Sequence, residues 1–398
     1  MTRAALRIAV AAAAAIAAAA APAQDFNDAA PNAPDQRPAF ANQTRAPVLP
    51  AGPALSVETL AAGLDEPWGM ARLPGGARLV TEKPGRMRLV APDGTVSAPI
   101  AGVPPVDARG QGGLLDVAIR DSFAEDRRVW WSFSEPRAGG NSTSVATGTL
   151  SEDGARLSDV RVIFRQEPAW DNGYHFGSRL VFDAEGMLFV TTGERSSHTP
   201  RRLAQDVGTH LGKVLRIDPE GGPAPGGPDI PGGLPEIWSY GHRNVQGAAM
   251  GPDGALWTVE HGPRGGDELN RPGAGLNHGW PVITYGVEYS GRPVGDGITA
   301  AAGMEQPVYY WDPVIAPSGM VFYDGEMFPE WRGDLLIGAL RGALVRLELD
   351  LSARRVTGEA RRLADELGRV RDVSVDPDGA VILLIEDDGA LLRLSRAE

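Results

Sequence analysis

The sequence has no cysteine. That excludes disulfide staples, thiolate metal sites and thiol catalysis. It also excludes a covalently attached c-type haem, which needs Cys-x-x-Cys-His. Histidine is scarce, at 6 in 398 residues, so each one in a polar setting is weighed as a possible functional group. Positive charge is in deficit: 38 Lys and Arg face 51 Asp and Glu, for a formal net charge of −13. So acidic a chain is a poor partner for nucleic acid or for an anionic membrane surface. Amphipathic helical periodicity is almost absent after residue 53, and no D-x-D-x-D-G calcium loop of the EF-hand type occurs.

What is present begins with a targeting signal. Arg3 and Arg7 precede an Ala-rich apolar run that ends in Ala21-Pro22-Ala23 before Gln24. This is the n-region, h-region and cleavage pattern of a secretory signal over residues 1–23. A retained membrane anchor is the competing reading, disfavoured because the run is dominated by alanine and ends at a cleavage site. Export without cysteine fits a periplasmic protein. Residues 24–52 are rich in Ala, Pro, Asn and Asp and have no hydrophobic period, which predicts a flexible leader. Residues 53–398 show no second linker. The Pro/Gly-dense stretch 219–233 reads as a long loop between strands.

Short runs rich in Val, Leu, Ile and aromatics recur through this remainder. Examples are 78–81, 87–90, 129–133, 188–192, 214–217, 335–337, 344–349 and 381–385. Acid-Gly pairs recur with them, at 93–94, 153–154, 185–186, 253–254, 324–325 and 378–379. Most open into an apolar strand, which is hairpin chemistry. At roughly 50 residues per four-stranded blade, the length suits a β-propeller of about six or seven blades. A pair of β-sandwiches is the alternative all-β architecture.

Propellers carry function on the loops at one end of the channel, so polar residues beside glycine matter most. The stretch 238–279 holds a turn and strand flanked by two polar ends. Arg243, Asn244 and Gln246 precede them and suit an anionic, carbonyl-rich ligand. His261, Gly262, Pro263, Asp267 and Glu268 follow them, and the carbonyls of the Gly-Pro turn and the two carboxylates suit a hard cation such as calcium. A hairpin would bring both ends to one rim, where a single cofactor could bridge them. Elsewhere, Gln111 sits in Gly110-Gln111-Gly112-Gly113. His175 lies between an aromatic and a glycine-led strand, a setting that suits a general base. Glu194 ends the next strand and has the charge to orient that histidine. Arg369 and Arg371 alternate, so a strand would present both guanidiniums on one face. Taken singly, each also fits a structural role: an exposed turn, a packed histidine, a solvated strand end.

Together the motifs resemble the soluble PQQ-dependent aldose sugar dehydrogenases. The resemblance runs through GLDEPWGM (63–70), GQGGLLD (110–116), HFGSRL (175–180), TTGE (191–194) and LGKVLRID (211–218). It continues through SYGHRNVQG (239–247), EHGPRGGDELN (260–270), NHGWP (277–281), IAPSGM (315–320) and RVRDV (369–373). It implies a six-bladed β-propeller that binds pyrroloquinoline quinone (PQQ) and calcium at the channel mouth. By motif position it implies His175 as catalytic base, with Glu194 the carboxylate beside it and Arg243 at the reacting carbonyl. It implies quinone contacts from Gln111, Asn244, Gln246, Arg341, Arg369 and Arg371, with Ala339 and Leu340 leading into Arg341. It implies calcium held by the carbonyls of Gly262 and Pro263, with Asp267, Glu268 and His278 in the same loop region.

The resemblance further implies oxidation of an aldose to its lactone, with electrons passed to an external acceptor. Three positions depart from the family pattern. Arg341 stands where lysine is common, His278 where tyrosine is usual, and Glu194 is longer than aspartate. A calcium-dependent sugar lactonase and a non-catalytic binding propeller are the other functions that this fold and these residues admit.

Overall fold

The computed structural model describes residues 16–18 and 26–397. Apart from Ile16–Ala18, the predicted signal segment lies outside the described residues. The described chain is almost entirely β: one α-turn (Phe123–Asp126) and three short 3-10 turns interrupt six antiparallel sheets. Taken in order, their innermost strands are Pro67–Arg72, Leu114–Ala118, Gly177–Phe182, Val245–Met250, Pro317–Phe322 and Val370–Val375. Each packs against the inner strands on either side, and the last packs against the first, so the sheets form a closed ring of six blades. The sixth blade shuts the ring. Leu55–Ala61, near the start of the chain, pairs with the C-terminal strand Ala390–Arg396. Ile16–Ala18 adds a short antiparallel edge to Leu55–Ala61.

The alternation typical of half-buried strands is overridden in the second strands of blades three to six. Leu188–Thr192, Leu256–Glu260, Leu335–Ala339 and Val381–Ile385 are buried at every position, because each blade is covered on both faces. The core is consequently divided into wedges between blades. Leu79, Leu114 and Trp131 fill the wedge between the first two blades. Trp257, Tyr309, Met320 and Val345 fill the one between the fourth and fifth.

The acid-Gly pairs do not mark one equivalent place per blade. Those at 185–186, 253–254 and 378–379 turn the inner strand into the second strand of blades three, four and six. The pair at 153–154 joins the two outer strands of blade two, and the pair at 93–94 follows the third strand of blade one. The pair at 324–325 lies within a longer connection. At Gly254 and Gly379 the turn needs a left-handed residue, with φ of 71° and 85°.

The segment expected to be a flexible leader lies along the outer edges of blades four and five. The Asp312 carboxylate accepts the backbone N–H of Asn32 and of Ala33 at 2.5 and 3.0 Å. Gln43 is fully buried and donates to the Pro307 carbonyl, and Val48 bridges Glu359. These attachments are mostly hydrogen bonds to backbone groups, which leave no hydrophobic period in the sequence. Residues 219–233 form the expected long connection between Lys213–Ile217 and Ile237–Tyr240.

Candidate active site

The six inner strands enter the ring from one end, and each slips register at its start. A bulge bends the strand and re-aims the side chains there. At the matching step of the six strands stand Gly69, Asp116, Arg179, Gly247, Gly319 and Asp372. Arg179 Nη1 lies 3.0 Å from both Asp116 Oδ1 and Asp372 Oδ1. The glycines make room for this buried cluster: a Cβ on Gly319 would fall 2.0 Å from Asp372 Oδ1. Burial pushes Asp116 up to about 6 despite Arg179. The cluster closes the channel with charge and forms a floor beneath the loops. Trp68 covers it, with the Arg179 guanidinium 4.4 Å from its ring centroid.

Above this floor is a cavity of about 280 Å3 whose lining includes Trp68, Lys83, Gln111, Gln246, His261 and Leu340, together with Arg369, Arg371 and Glu386. At the edge of the cavity His175 has φ of 50°, a left-handed setting unusual for a side chain of its size. Its position is fixed from both sides. Its N–H donates to Gln111 Oε1 at 2.8 Å, and its ring Nδ1 lies 2.9 Å from Glu194 Oε2. Gly193 permits the approach, since a Cβ there would lie 2.0 Å from the His175 carbonyl oxygen.

A carboxylate facing Nδ1 makes that nitrogen the donor and leaves Nε2 as the basic atom. Burial, the largest influence, pushes the imidazole down. Glu194 pulls it up and Arg243 pushes it down again, and the balance falls below the ordinary value. The ring is therefore neutral at neutral pH. Burial also pushes Glu194 up, but His175, Arg243 and the Ser196 N–H outweigh it and keep the carboxyl below its usual range. A charged carboxylate backing a neutral imidazole is a proton acceptor's arrangement.

The cationic side of the cavity is richer than the sequence suggested. Arg371 Nε, Arg369 Nε and Lys83 Nζ lie 3.0, 3.3 and 3.7 Å from the one carboxylate of Glu386. Lys83 Nζ also lies 3.0 Å from Glu66 Oε1, so two carboxylates face three cations and positive charge is left for an anionic ligand. Arg371 Nη1 also donates to Gln246 Oε1 at 3.2 Å. Asn244 is turned inward: its Oδ1 accepts the Gly177 N–H at 3.2 Å and lies 3.3 Å from Gln246 Nε2, tying blades three and four together. Arg243 is buried, and Nη1 donates to the His261 carbonyl at 2.8 Å. Its Nε has no acceptor among the described residues, so a donor is available for a ligand oxygen. Ala339 ends its strand in the core. Arg341 is exposed on the following turn, outside the cavity lining, and has no polar partner among the described residues.

The hairpin does bring the two polar ends to one rim. Val245 pairs with Glu260, and the His261 N–H donates to the Asn244 carbonyl at 3.2 Å. Gly262 is folded so tightly that a Cβ would lie 2.2 Å from the Gly266 oxygen. The carbonyls of Gly262 and Pro263 accept no hydrogen bond from described residues and so remain available to a cation. Asp267 turns back into the loop. Its carboxylate accepts the N–H groups of Gly262, Ile315 and Ala316 at 2.8, 2.9 and 2.7 Å, which fixes the turn.

Glu268 is half-buried, accepts from Asn270 Nδ2 at 3.0 Å, and is pushed up to about 8 by desolvation and then by Glu260. Both ring nitrogens of the buried His278 lack partners among the described residues, and the ring stacks on His242 at 4.6 Å. No group of three or more His, Asp or Glu side chains has metal-holding geometry among the described residues. A cation at this rim would therefore lean on main-chain carbonyls and on the ligand's own oxygens.

Trp68, Lys83 and Glu386 were not singled out from the sequence, whereas His261 was placed at the polar end of the hairpin. His261 Nε2 lies 2.8 Å from the Pro317 carbonyl, and burial pushes the ring down to about 3, so it lines the cavity as a neutral donor. Lys83 and Glu386 come from second strands or their turns, and nothing local marks them.

A model of the glucose/sorbosone dehydrogenase family matches residues 64–393. The aldose sugar dehydrogenase YliI of Escherichia coli is 44% identical over 353 residues, 87% of this chain and 94% of that relative. The crystal structure of soluble aldose sugar dehydrogenase from Escherichia coli in its apo-form superposes with a TM-score of 0.82 at 43% identity, over 86% of this chain and all of that one. The PQQ-bound aldose sugar dehydrogenase of Streptomyces coelicolor gives a TM-score of 0.71 at 31% identity, over 86% of this chain and 98% of that one. With its six-bladed propeller, this chain belongs to the glucose/sorbosone dehydrogenase family and is an oxidoreductase.

Proposed function

We propose that the protein oxidises the anomeric hydroxyl of an aldose to a lactone, using PQQ and calcium, and passes the electrons to an external acceptor. The observation that carries this reading is the His175–Glu194 pair set beside a cavity with excess positive charge. PQQ, when bound, supplies a two-electron acceptor for the hydride that leaves the sugar. The remaining work falls to this chain. His175 Nε2 takes the proton from the anomeric hydroxyl, and Glu194 stabilises the imidazolium so formed. Arg243 offers its unpaired donor to an oxygen that gains negative charge. Lys83, Arg369 and Arg371 hold ligand carboxylates, with Gln246 and Gln111 as polar neighbours. Gly262 and Pro263 offer their carbonyls to calcium, with Glu268 and the main chain of His278 as further ligands in the same region. Asp267 holds that loop in shape.

The cavity, at about 280 Å3, suits one compact, flat ligand. Secretion to the periplasm through a cleaved signal belongs to the same proposal. No helix among the described residues is long and apolar enough to cross a membrane. The test is reconstitution of the purified mature protein with PQQ and calcium, followed by dye reduction with several aldoses. Activity that needs both additions supports the reading. A His175→Ala variant should then retain PQQ and lose reduction by sugar. Turnover without quinone, by hydrolysis of a sugar lactone, would instead favour the lactonase.

A further inference from the structure

A second, larger cavity lies beside the candidate active site. Its volume is about 680 Å3, and its lining includes His198, Arg201, Arg202, Glu288, Tyr289 and Arg292. Two structural links join it to the first site. The buried Trp280 ring has the Arg243 guanidinium 5.2 Å from its centroid and that of Arg201 at 6.0 Å. Pro281, next in the chain, lines the second cavity. The segment leaving Glu194 also runs directly into His198 and Arg201. A ligand in this cavity is therefore separated from His175 and Arg243 by one aromatic ring and one short loop.

The charge here is opposite to that of the molecule. The chain carries −13 overall, yet this cavity presents three guanidiniums against the single carboxylate of Glu288. Arg201 is already engaged, lying 2.7 Å from Glu288 Oε1 and 2.6 Å from His198 Nδ1. Arg202 and Arg292 are exposed and have no carboxylate partner among the described residues. Arg292 is set by a tight turn in which the Glu288 N–H donates to the Arg292 carbonyl at 2.8 Å. Tyr289 on that turn is 74% exposed and offers an aromatic face with a polar tip. Guanidinium forks match the geometry of carboxylate and phosphate.

We propose that this cavity is a substrate subsite that holds the anionic substituent of an acidic aldose, a carboxylate or phosphate remote from the oxidised carbon, on Arg202 and Arg292. It rests on the sugar dehydrogenase reading of the adjoining site. It assigns a substrate class: sugar acids or sugar phosphates in preference to neutral aldoses.

The test uses the PQQ- and calcium-loaded protein and compares kcat/KM for glucose, glucuronate and glucose 6-phosphate. At least one anionic sugar should exceed glucose by about tenfold or more, the scale of one charge-assisted contact. The larger of the two identifies the anion as carboxylate or phosphate. The Arg202→Gln/Arg292→Gln double variant should lose that preference while its kcat/KM for glucose stays unchanged. Equal use of all three sugars, or an equal loss for all three in the variant, would overturn the subsite and leave the dehydrogenase reading intact. If no sugar reduces the dye, the dehydrogenase reading fails instead. Thermal shift of the quinone-free protein by glucuronate and glucose 6-phosphate then decides the subsite. A shift lost in the double variant supports it, and no shift with either anion overturns it.

Discussion

Replacing Glu194 by glutamine isolates the charge behind the proposed base. Glu194 Oε2 faces His175 Nδ1 at 2.9 Å and also accepts the Ser196 N–H. Both bonds use the same oxygen, so the amide oxygen of the introduced glutamine can keep both. The tautomer and orientation of His175 survive, and only the negative charge is lost. Two unit charges about 4 Å apart interact by about 4 kcal/mol at an effective dielectric near 20. The imidazolium is only partly formed at the transition state, so part of that energy is forfeited. The expected result is a fall in kcat of about 10²- to 10³-fold, at 1.36 kcal/mol per decade, with little change in KM. The assay is steady-state dye reduction by the loaded enzyme, with PQQ content measured by absorbance. A Glu194→Gln enzyme within threefold of the parent kcat would refute the role given to the carboxylate.

Other consequences are as specific. In the parent enzyme, burial and Arg243 hold His175 below its ordinary value of 6.5 against the pull of Glu194. Since the base must be unprotonated, kcat/KM should fall on the acid side with a midpoint below 6.5; an acid limb centred above 6.5 would contradict this. Arg371→Gln removes one of three cations around Glu386 and should weaken PQQ binding about 10- to 100-fold, as measured by titration of the quinone-free protein. Unchanged affinity would remove Arg371 from the anion clamp. Gly319→Ala would press a Cβ onto Asp372 and should cost about 1–3 kcal/mol in urea denaturation. A neutral effect would mean that the channel floor is less tightly packed than its geometry indicates.

Much of this protein was legible along the chain because the signals are local. Strand runs such as 188–192 and 381–385 carry their own apolar and β-branched residues, and their observed limits match. The polar ends of the 238–279 stretch meet because one hairpin joins them, which is a short-range event. Motifs such as HFGSRL and EHGPRGGDELN hold their site residues within a few positions of one another, so spacing alone locates them.

Tertiary structure decided whatever depends on ring closure. Glu386 and Arg371 share blade six, where one hairpin joins them, but Lys83 comes from blade one, far away in sequence, and meets them only because the last blade packs against the first. The Asp116–Arg179–Asp372 floor joins three blades in the same way. The leader misled because its attachments are hydrogen bonds to Asp312 and to the Glu359 strand, with no periodic face to read. The sequence by itself determined which segments become strands and turns and which short motifs carry polar groups, since those follow from local preference and burial pattern. Only the closed ring decided which charges face one another. Their pairing is set by distance through space, and in a propeller the residues at the channel mouth are drawn from every blade.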